Sequence, residues 1–191
     1  IDAGPPDVEW YSGAWYRIWD HIASFPYFVP AMHLRAILPD EYAPISPEVP
    51  WEQKRIDVNL SKQTLTAYEQ EDVVFKTTIS SGVPTSDTTT HVGSFRITEK
   101  LPSEHMGEAN VYQAVDDYVL AGVPWTSYFT GDGQAFHGTF WHENFGSPMS
   151  HGCINMRTSE ALWLYRWATP EHTENSYTTK PGRGTAVDVH F

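Results

Sequence analysis

The chain has 191 residues, 40% hydrophobic and 14% aromatic, and carries 12 Lys+Arg against 24 Asp+Glu for a formal charge of -12. That is enough apolar material for one buried core with a small appendage, and the acidic balance argues against a nucleic-acid partner, which selects basic surfaces. No apolar run approaches the length of a membrane span, and a single cysteine cannot form an internal disulfide.

Residues 1–51 read as an N-terminal extension distinct from the rest. Trp10, Tyr11, Trp15, Tyr16 and Trp19 recur at spacings of one, three and four, which predicts a short amphipathic helix. Pro26, Pro30, Pro39, Pro44, Pro47 and Pro50 then break the chain into extended pieces. Such an aromatic stripe is expected to pack on the domain that follows; carbohydrate binding by exposed tryptophans is the sharper alternative. Because the chain begins at Ile1 with no signal-like segment, it is expected to be a mature or trimmed product.

From residue 52 the pattern turns to strands. Ile56, Val58 and Leu60 alternate, followed by Leu65 and Ala67, then by Val73, Phe75, Thr77 and Ile79, with Ser61-Lys62 and Glu71-Asp72 as turns, so a β meander is expected. The runs 93–98 and 111–118 can extend the sheet, and 128–137 is expected to be a strand that delivers His137 at its end. A helix over 159–168 follows, with Thr158 or Ser159 as N-cap and Pro170 as its stop.

The chemistry concentrates around the one cysteine. Cys153 lies in Ser150-His151-Gly152-Cys153-Ile154-Asn155, sixteen residues after His137 in Phe136-His137-Gly138-Thr139. A thiol attacks as its thiolate, and a free cysteine with a pKa of about 8.5 is mostly protonated at neutral pH, so a catalytic one needs a base or a cation nearby. His137 can take the proton, while the N–H groups of Gly152 and Cys153 can hold a developing oxyanion. A lone cysteine is more often a small buried hydrophobe, but a buried thiol has no use for the histidines and glycines gathered here. Zinc competes on residue type, since His137, His142, His151 and Cys153 all ligate it. Only His137 and His142, with four residues between them, approach a paired-ligand spacing, so no metal or other cofactor is expected.

Residues 54–191 resemble the L,D-transpeptidase catalytic domain, also called the YkuD family. The resemblance rests on His137-Gly138, a linker, and Ser150-His151-Gly152-Cys153-Ile154-Asn155; Ile56 to Leu65 is similar to the family's first hairpin and Gly184 to Val189 to its last strand. Two positions depart from the common pattern. His91 stands in Thr90-His91-Val92-Gly93-Ser94-Phe95 where many members have proline, and Asn155 stands where many have arginine.

The resemblance implies a mainly β fold with minor α, built as a β-sandwich of mixed sheets over 52–191. It implies a peptidoglycan L,D-transpeptidase, in which Cys153 forms an acyl-enzyme with a stem tetrapeptide, D-alanine leaves, and an amine of a neighbouring stem resolves the thioester. His137 is then the base, the Gly138 carbonyl fixes its tautomer, His151 supports the cysteine loop or the oxyanion, and Tyr118, Trp141, Ser150 and Asn155 are substrate contacts. Carbapenem-type β-lactams are implied as covalent inhibitors, and an extracytoplasmic location is implied, with an export signal or anchor encoded upstream. An L,D-carboxypeptidase that uses water as acceptor shares every one of these residues. A non-catalytic wall-binding module predicts loss of Cys153 or His137, and both are present.

Overall fold

The computed structural model describes residues 13–20, 25–34, 37–85, 87–107, 119–171 and 182–191. The chain divides into two compact units, one formed by 1–41 with 107–119 and the other by 42–106 with 120–191. In the first unit β1 (Trp15–Asp20) and β2 (Phe25–Pro30) form an antiparallel hairpin, Trp15 opposite Pro30 and Asp20 opposite Phe25. The helix expected around Trp15, Tyr16 and Trp19 is therefore corrected to a strand. Residues four apart share a face in a strand as well as in a helix, so the spacing fits both periods, and aromatic and β-branched side chains prefer the pleated surface. Trp10 and Tyr11 lie outside the described residues.

In the second unit β3 (Lys54–Asn59), β4 (Thr64–Glu69) and β5 (Asp72–Thr78) form the expected meander. They are followed by β6 (Gly93–Arg96), β7 (Glu99–Gly107), β8 (Val119–Tyr128), β9 (Ala135–Thr139) and β10 (Ile154–Arg157). The chain ends with α1 (Thr158–Trp167) and β11 (Ala186–His190). Two mixed sheets result, one ordered β5-β4-β3-β11-β6 and the other β10-β9-β8-β7. The parallel pairs are β11 with β3 and β10 with β9. The fold is mainly β with minor α, as the sequence implied.

Alternation explains the larger sheet. Lys54, Ile56 and Val58 of β3 are buried while Arg55, Asp57 and Asn59 are partly exposed, and Val187 and Val189 of β11 repeat the pattern. Ile56, Leu65, Ile79, Ile97, Ile154 and Leu164 are wholly buried, each side chain contributing about 1.5–3 kcal/mol by leaving water. The expected strand over 128–137 is interrupted. Thr130-Gly131-Asp132-Gly133 forms a turn, so β9 begins at Ala135 and places His137 at its centre. The segment 111–118 lies outside the described residues.

The helix forms one residue earlier than expected, and neither hydroxyl caps it. Arg157 occupies the N-cap position without a side-chain cap bond, and Glu160 supplies the negative charge of the first turn. Ala161, Leu164 and Tyr165 bury one face, the spacing of an amphipathic helix. The helix packs on β9 and β10, the two strands that carry the histidine and follow the cysteine. Two buried lysines close its C-terminal end. Lys100 Nζ donates to the carbonyls of Tyr165 (2.5 Å) and Ala168 (2.6 Å), and Lys54 Nζ to those of Trp167 (3.0 Å) and Ile45 (3.2 Å). Burial pushes Lys100 down to about 7, against carbonyls and a helix C-terminus that favour the charged form. No helix among the described residues is long and apolar enough to cross a membrane.

Candidate active site

Strand register brings the two sequence motifs together. In the parallel pair Ile154 lies opposite Phe136 and Asn155 opposite His137, so one step back sets Cys153 level with Ala135. Paired residues share a face and side chains alternate along a strand, which places Ala135, His137 and Asn155 on one face of the sheet, with Cys153 in the turn that leads into β10. The register thus sets the strand of His137 beside the strand that Cys153 immediately precedes.

His137 is 3% exposed, and its Nδ1 bonds to the Gly138 carbonyl at 3.1 Å. A carbonyl only accepts, so Nδ1 carries the proton and Nε2 presents a lone pair. Burial pushes the His137 pKa down to about 4, with the Gly138 carbonyl opposing and His142 adding to the depression. The imidazole is neutral at pH 7. Trp141 lies against it with ring centroids 5.8 Å apart, and Phe140 meets Trp141 edge-on at 4.9 Å.

Cys153 is half-buried, its Sγ 3.8 Å from the Gly133 carbonyl. Burial pushes its thiol pKa up, a hydrogen bond from the Ala135 N–H pulls it back, and the charge of Asp132 pushes it up again. At rest the two groups are therefore a neutral thiol and a neutral imidazole rather than a thiolate and an imidazolium. Such a pair transfers its proton as the nucleophile attacks.

The cysteine loop is held by hydrogen bonds within and around it. The Ser150 hydroxyl donates to the Cys153 carbonyl and accepts the Gly152 N–H at 3.1 Å. Ser150, expected as a substrate contact, is thus buried with its hydroxyl engaged at both ends by the turn. The Gly152 N–H is engaged too, leaving the Cys153 N–H as the donor of that pair for an oxyanion. Gly152 has φ +123°, and a Cβ there would sit 2.8 Å from Gln134 Nε2. Thr90 Oγ1 donates to the Gly152 carbonyl and accepts the Gly82 N–H, both at 2.8 Å. At Gly82 a Cβ would lie 2.0 Å from the Thr88 carbonyl oxygen and 2.9 Å from Gly152 Cα, so two backbones meet where only glycine fits.

Sequence reasoning missed this brace. Gln134 reaches across from the β8–β9 turn, Nε2 donating to the Thr89 carbonyl at 3.0 Å and Oε1 accepting the His91 N–H at 2.9 Å. Gln63 does the same from the first hairpin, its side chain meeting both the hydroxyl and the N–H of Ser81 at 2.8 Å. Thr90 was within view as the first residue of the Thr90–Phe95 loop; the two glutamines carried no pattern at all.

Cys153 opens onto a polar cavity of about 240 Å³, also lined by His151, His91, Asp132 and Gln134. His91, in the place of the usual proline, stands 3.5 Å from the Asp132 carboxylate, which a hydrogen bond from Thr130 holds below the usual range. His151 is exposed on the cavity wall. Asn155 is 2% exposed, exchanges both backbone hydrogen bonds with Ser80, and meets His142 Nε2 through its amide at 2.9 Å. Tyr118 lies outside the described residues.

The histidine and cysteine motifs are carried by paired strands of a mainly β scaffold of mixed sheets. The chain belongs to the YkuD family of L,D-transpeptidase catalytic domains, whose pattern matches residues 53–189. It is 28% identical over 145 residues to a Bacillus subtilis (strain 168) protein provisionally named L,D-transpeptidase YciB, covering 70% of this chain and 68% of that one. Among solved structures it is similar to an L,D-transpeptidase from Mycobacterium smegmatis, with TM-score 0.57, 22% identity, and coverage of 73% of this chain and 59% of that one. An Enterococcus faecium L,D-transpeptidase mutant gives TM-score 0.55 and 25% identity, with coverage of 72% and 50%. The chain therefore spans about half to three fifths of the length of these solved proteins.

Proposed function

We propose that this protein is a peptidoglycan L,D-transpeptidase. The observation that carries the reading is the neutral His137, tied through Nδ1 to Gly138 on the strand paired with the one that follows Cys153. In the first step the thiol proton moves to His137 Nε2 while sulfur bonds to the carbonyl carbon that precedes the terminal D-residue of a stem tetrapeptide. The Cys153 N–H donates to the oxyanion, and His151 on the cavity wall supports it or the loop. Collapse breaks the C–N bond, and D-alanine leaves with the proton from His137. An acceptor amine of a neighbouring stem then attacks the thioester, gives its proton to His137, and the thiolate is reprotonated as it departs.

Trp141, whose ring lies against the imidazole, Asn155 and Tyr118 are the proposed substrate contacts. The N-terminal residues 1–51 are proposed as an extension that precedes a catalytic domain of 52–191. The substrate puts the site of action outside the cytoplasm, in the cell wall or periplasm. β-Lactams are proposed as covalent inhibitors: similar structures include LdtMt1 in complex with imipenem, an Ldtfm-avibactam carbamoyl enzyme and a faropenem-derived adduct of L,D-transpeptidase 3 from Mycobacterium tuberculosis.

Intact-protein mass spectrometry after incubation with a stem tetrapeptide tests the proposal. The expected product is a tripeptidyl adduct on the peptide containing Cys153 with release of D-alanine, converted to a cross-linked peptide when an amine acceptor is added. Release to water alone, with no cross-link at high amine, would make the protein the carboxypeptidase instead. An adduct that persists in Cys153→Ala would overturn the site.

A further inference from the structure

The Asn155 amide is buried, and one end of it meets His142 Nε2 at 2.9 Å. The other ring nitrogen of His142, Nδ1, receives the backbone N–H of Asn144 at 3.2 Å. A ring nitrogen that accepts an N–H bond carries no proton, so the neutral ring holds its proton on Nε2. Burial lowers the His142 pKa, with Glu143 opposing, which keeps the ring neutral at pH 7. Nε2–H is then a donor and requires an oxygen opposite it.

The two ends of an asparagine amide exchange by a half-turn. With Nδ2 toward His142, two N–H groups would face one another, and Oδ1 would stand buried with no partner among the described residues. With Oδ1 toward His142, the clash disappears, and the buried position holds an NH2 donor in place of a carbonyl oxygen. Asn155 shares a sheet face with His137, directly opposite it, and follows Cys153 by two residues. The reacting end of an acyl-donor peptide offers carbonyl and carboxylate oxygens, which an NH2 group attracts and an Oδ1 repels.

We propose that His142 is a positioning residue: held at Nδ1 by the Asn144 N–H, it donates from Nε2 to Asn155 Oδ1 and so fixes the Asn155 NH2 as a donor on the catalytic face for a carbonyl or carboxylate oxygen of the acyl donor. The assignment of that oxygen rests on the transpeptidase reading. The orientation of the amide does not.

Two-bond 1H–15N correlations on the labelled full chain read the tautomer of His142, assigned by loss of its signals in His142→Phe. The Nε2–H tautomer is expected; an Nδ1–H tautomer overturns the proposal. In acylation by a stem tetrapeptide, His142→Phe keeps the ring shape without its hydrogen bonds and should raise KM about tenfold, the value of one lost hydrogen bond. His142→Gln, which can both accept and donate, should recover most of the loss. A folded His142→Phe protein with wild-type KM overturns the positioning role. If the tetrapeptide acylates no form of the protein, the transpeptidase reading fails, and the tautomer together with the Asn155 side-chain NH2 signals on addition of a carbapenem still decides the proposal. A shift of those signals is expected, and none overturns it.

Discussion

The two halves of the site are built in opposite ways. His137 sits at the centre of a buried strand, where sheet register sets its position and burial sets its charge. Cys153 sits in a turn whose shape depends on contacts from distant segments: Thr90, Gln134, and the close approach of Gly82. His137 is thus fixed by the same apolar burial that stabilises the fold, whereas Cys153, the proposed nucleophile, is fixed by a few polar contacts and two glycines. Changes near the base should register as stability and pH dependence, and changes near the nucleophile as geometry.

The largest effect should come from Gly82→Ala. Its Cβ would fall 2.0 Å from the Thr88 carbonyl oxygen and 2.8 Å from the Thr90 nitrogen, both backbone atoms that cannot yield. A destabilisation of about 3 kcal/mol is expected, with acylation of Cys153 falling by about a hundredfold or more as the loop is displaced. Denaturant midpoints and intact-mass acylation rates measure the two.

Next is the acid sensitivity of the fold. A histidine held at about 4 when folded and near 6.5 when unfolded leaves the unfolded chain binding more protons between those values. Stability is therefore full above pH 6.5 and falls as pH drops toward 4, by about 3 kcal/mol for this group. His137→Phe should flatten that limb in urea titrations at a series of pH values. An unchanged limb would mean that burial does not hold the ring neutral.

Thr90→Val removes the hydroxyl that bridges the Gly82 N–H and the Gly152 carbonyl while keeping its shape. A loss of about 2 kcal/mol is expected for the two bonds, with acylation slowed about tenfold and the His137 pH limb unmoved. The smallest effect belongs to Asp132, an exposed carboxylate whose charge opposes the thiolate. Asp132→Asn should speed alkylation of Cys153 by iodoacetamide at neutral pH by about twofold, an advantage that salt screens away.

The legibility of the chain follows the same division. The meander from Ile56 to Ile79 and the helix after the cysteine could be read from alternation and helical spacing, and the family from a short motif. Trp15 and Trp19 misled because their spacing of four suits a strand and a helix alike. The strand over 128–137 was overextended because the turn at Gly131-Asp132-Gly133 was passed over. Gln63, Thr90 and Gln134 act through hydrogen bonds to residues 18, 62 and 43 positions away, which no local pattern encodes. The strand that carries His137 could be read because strands announce themselves; the brace around Cys153 could not, because it exists only once the sheets have formed.

The most direct test is the rate of Cys153 acylation by a stem tetrapeptide, followed by intact mass from about pH 4 to about pH 10 in the wild type, His137→Ala and His151→Ala. A neutral thiol–imidazole pair predicts a wild-type acid limb near 4, well below an ordinary histidine. His137→Ala should lose about 10²–10⁴-fold at neutral pH and recover part of it at alkaline pH, where the thiol ionises unaided. His151→Ala should be slowed at every pH without such a recovery. Alkaline rescue in His151→Ala and none in His137→Ala would contradict the account and exchange the roles of the two histidines.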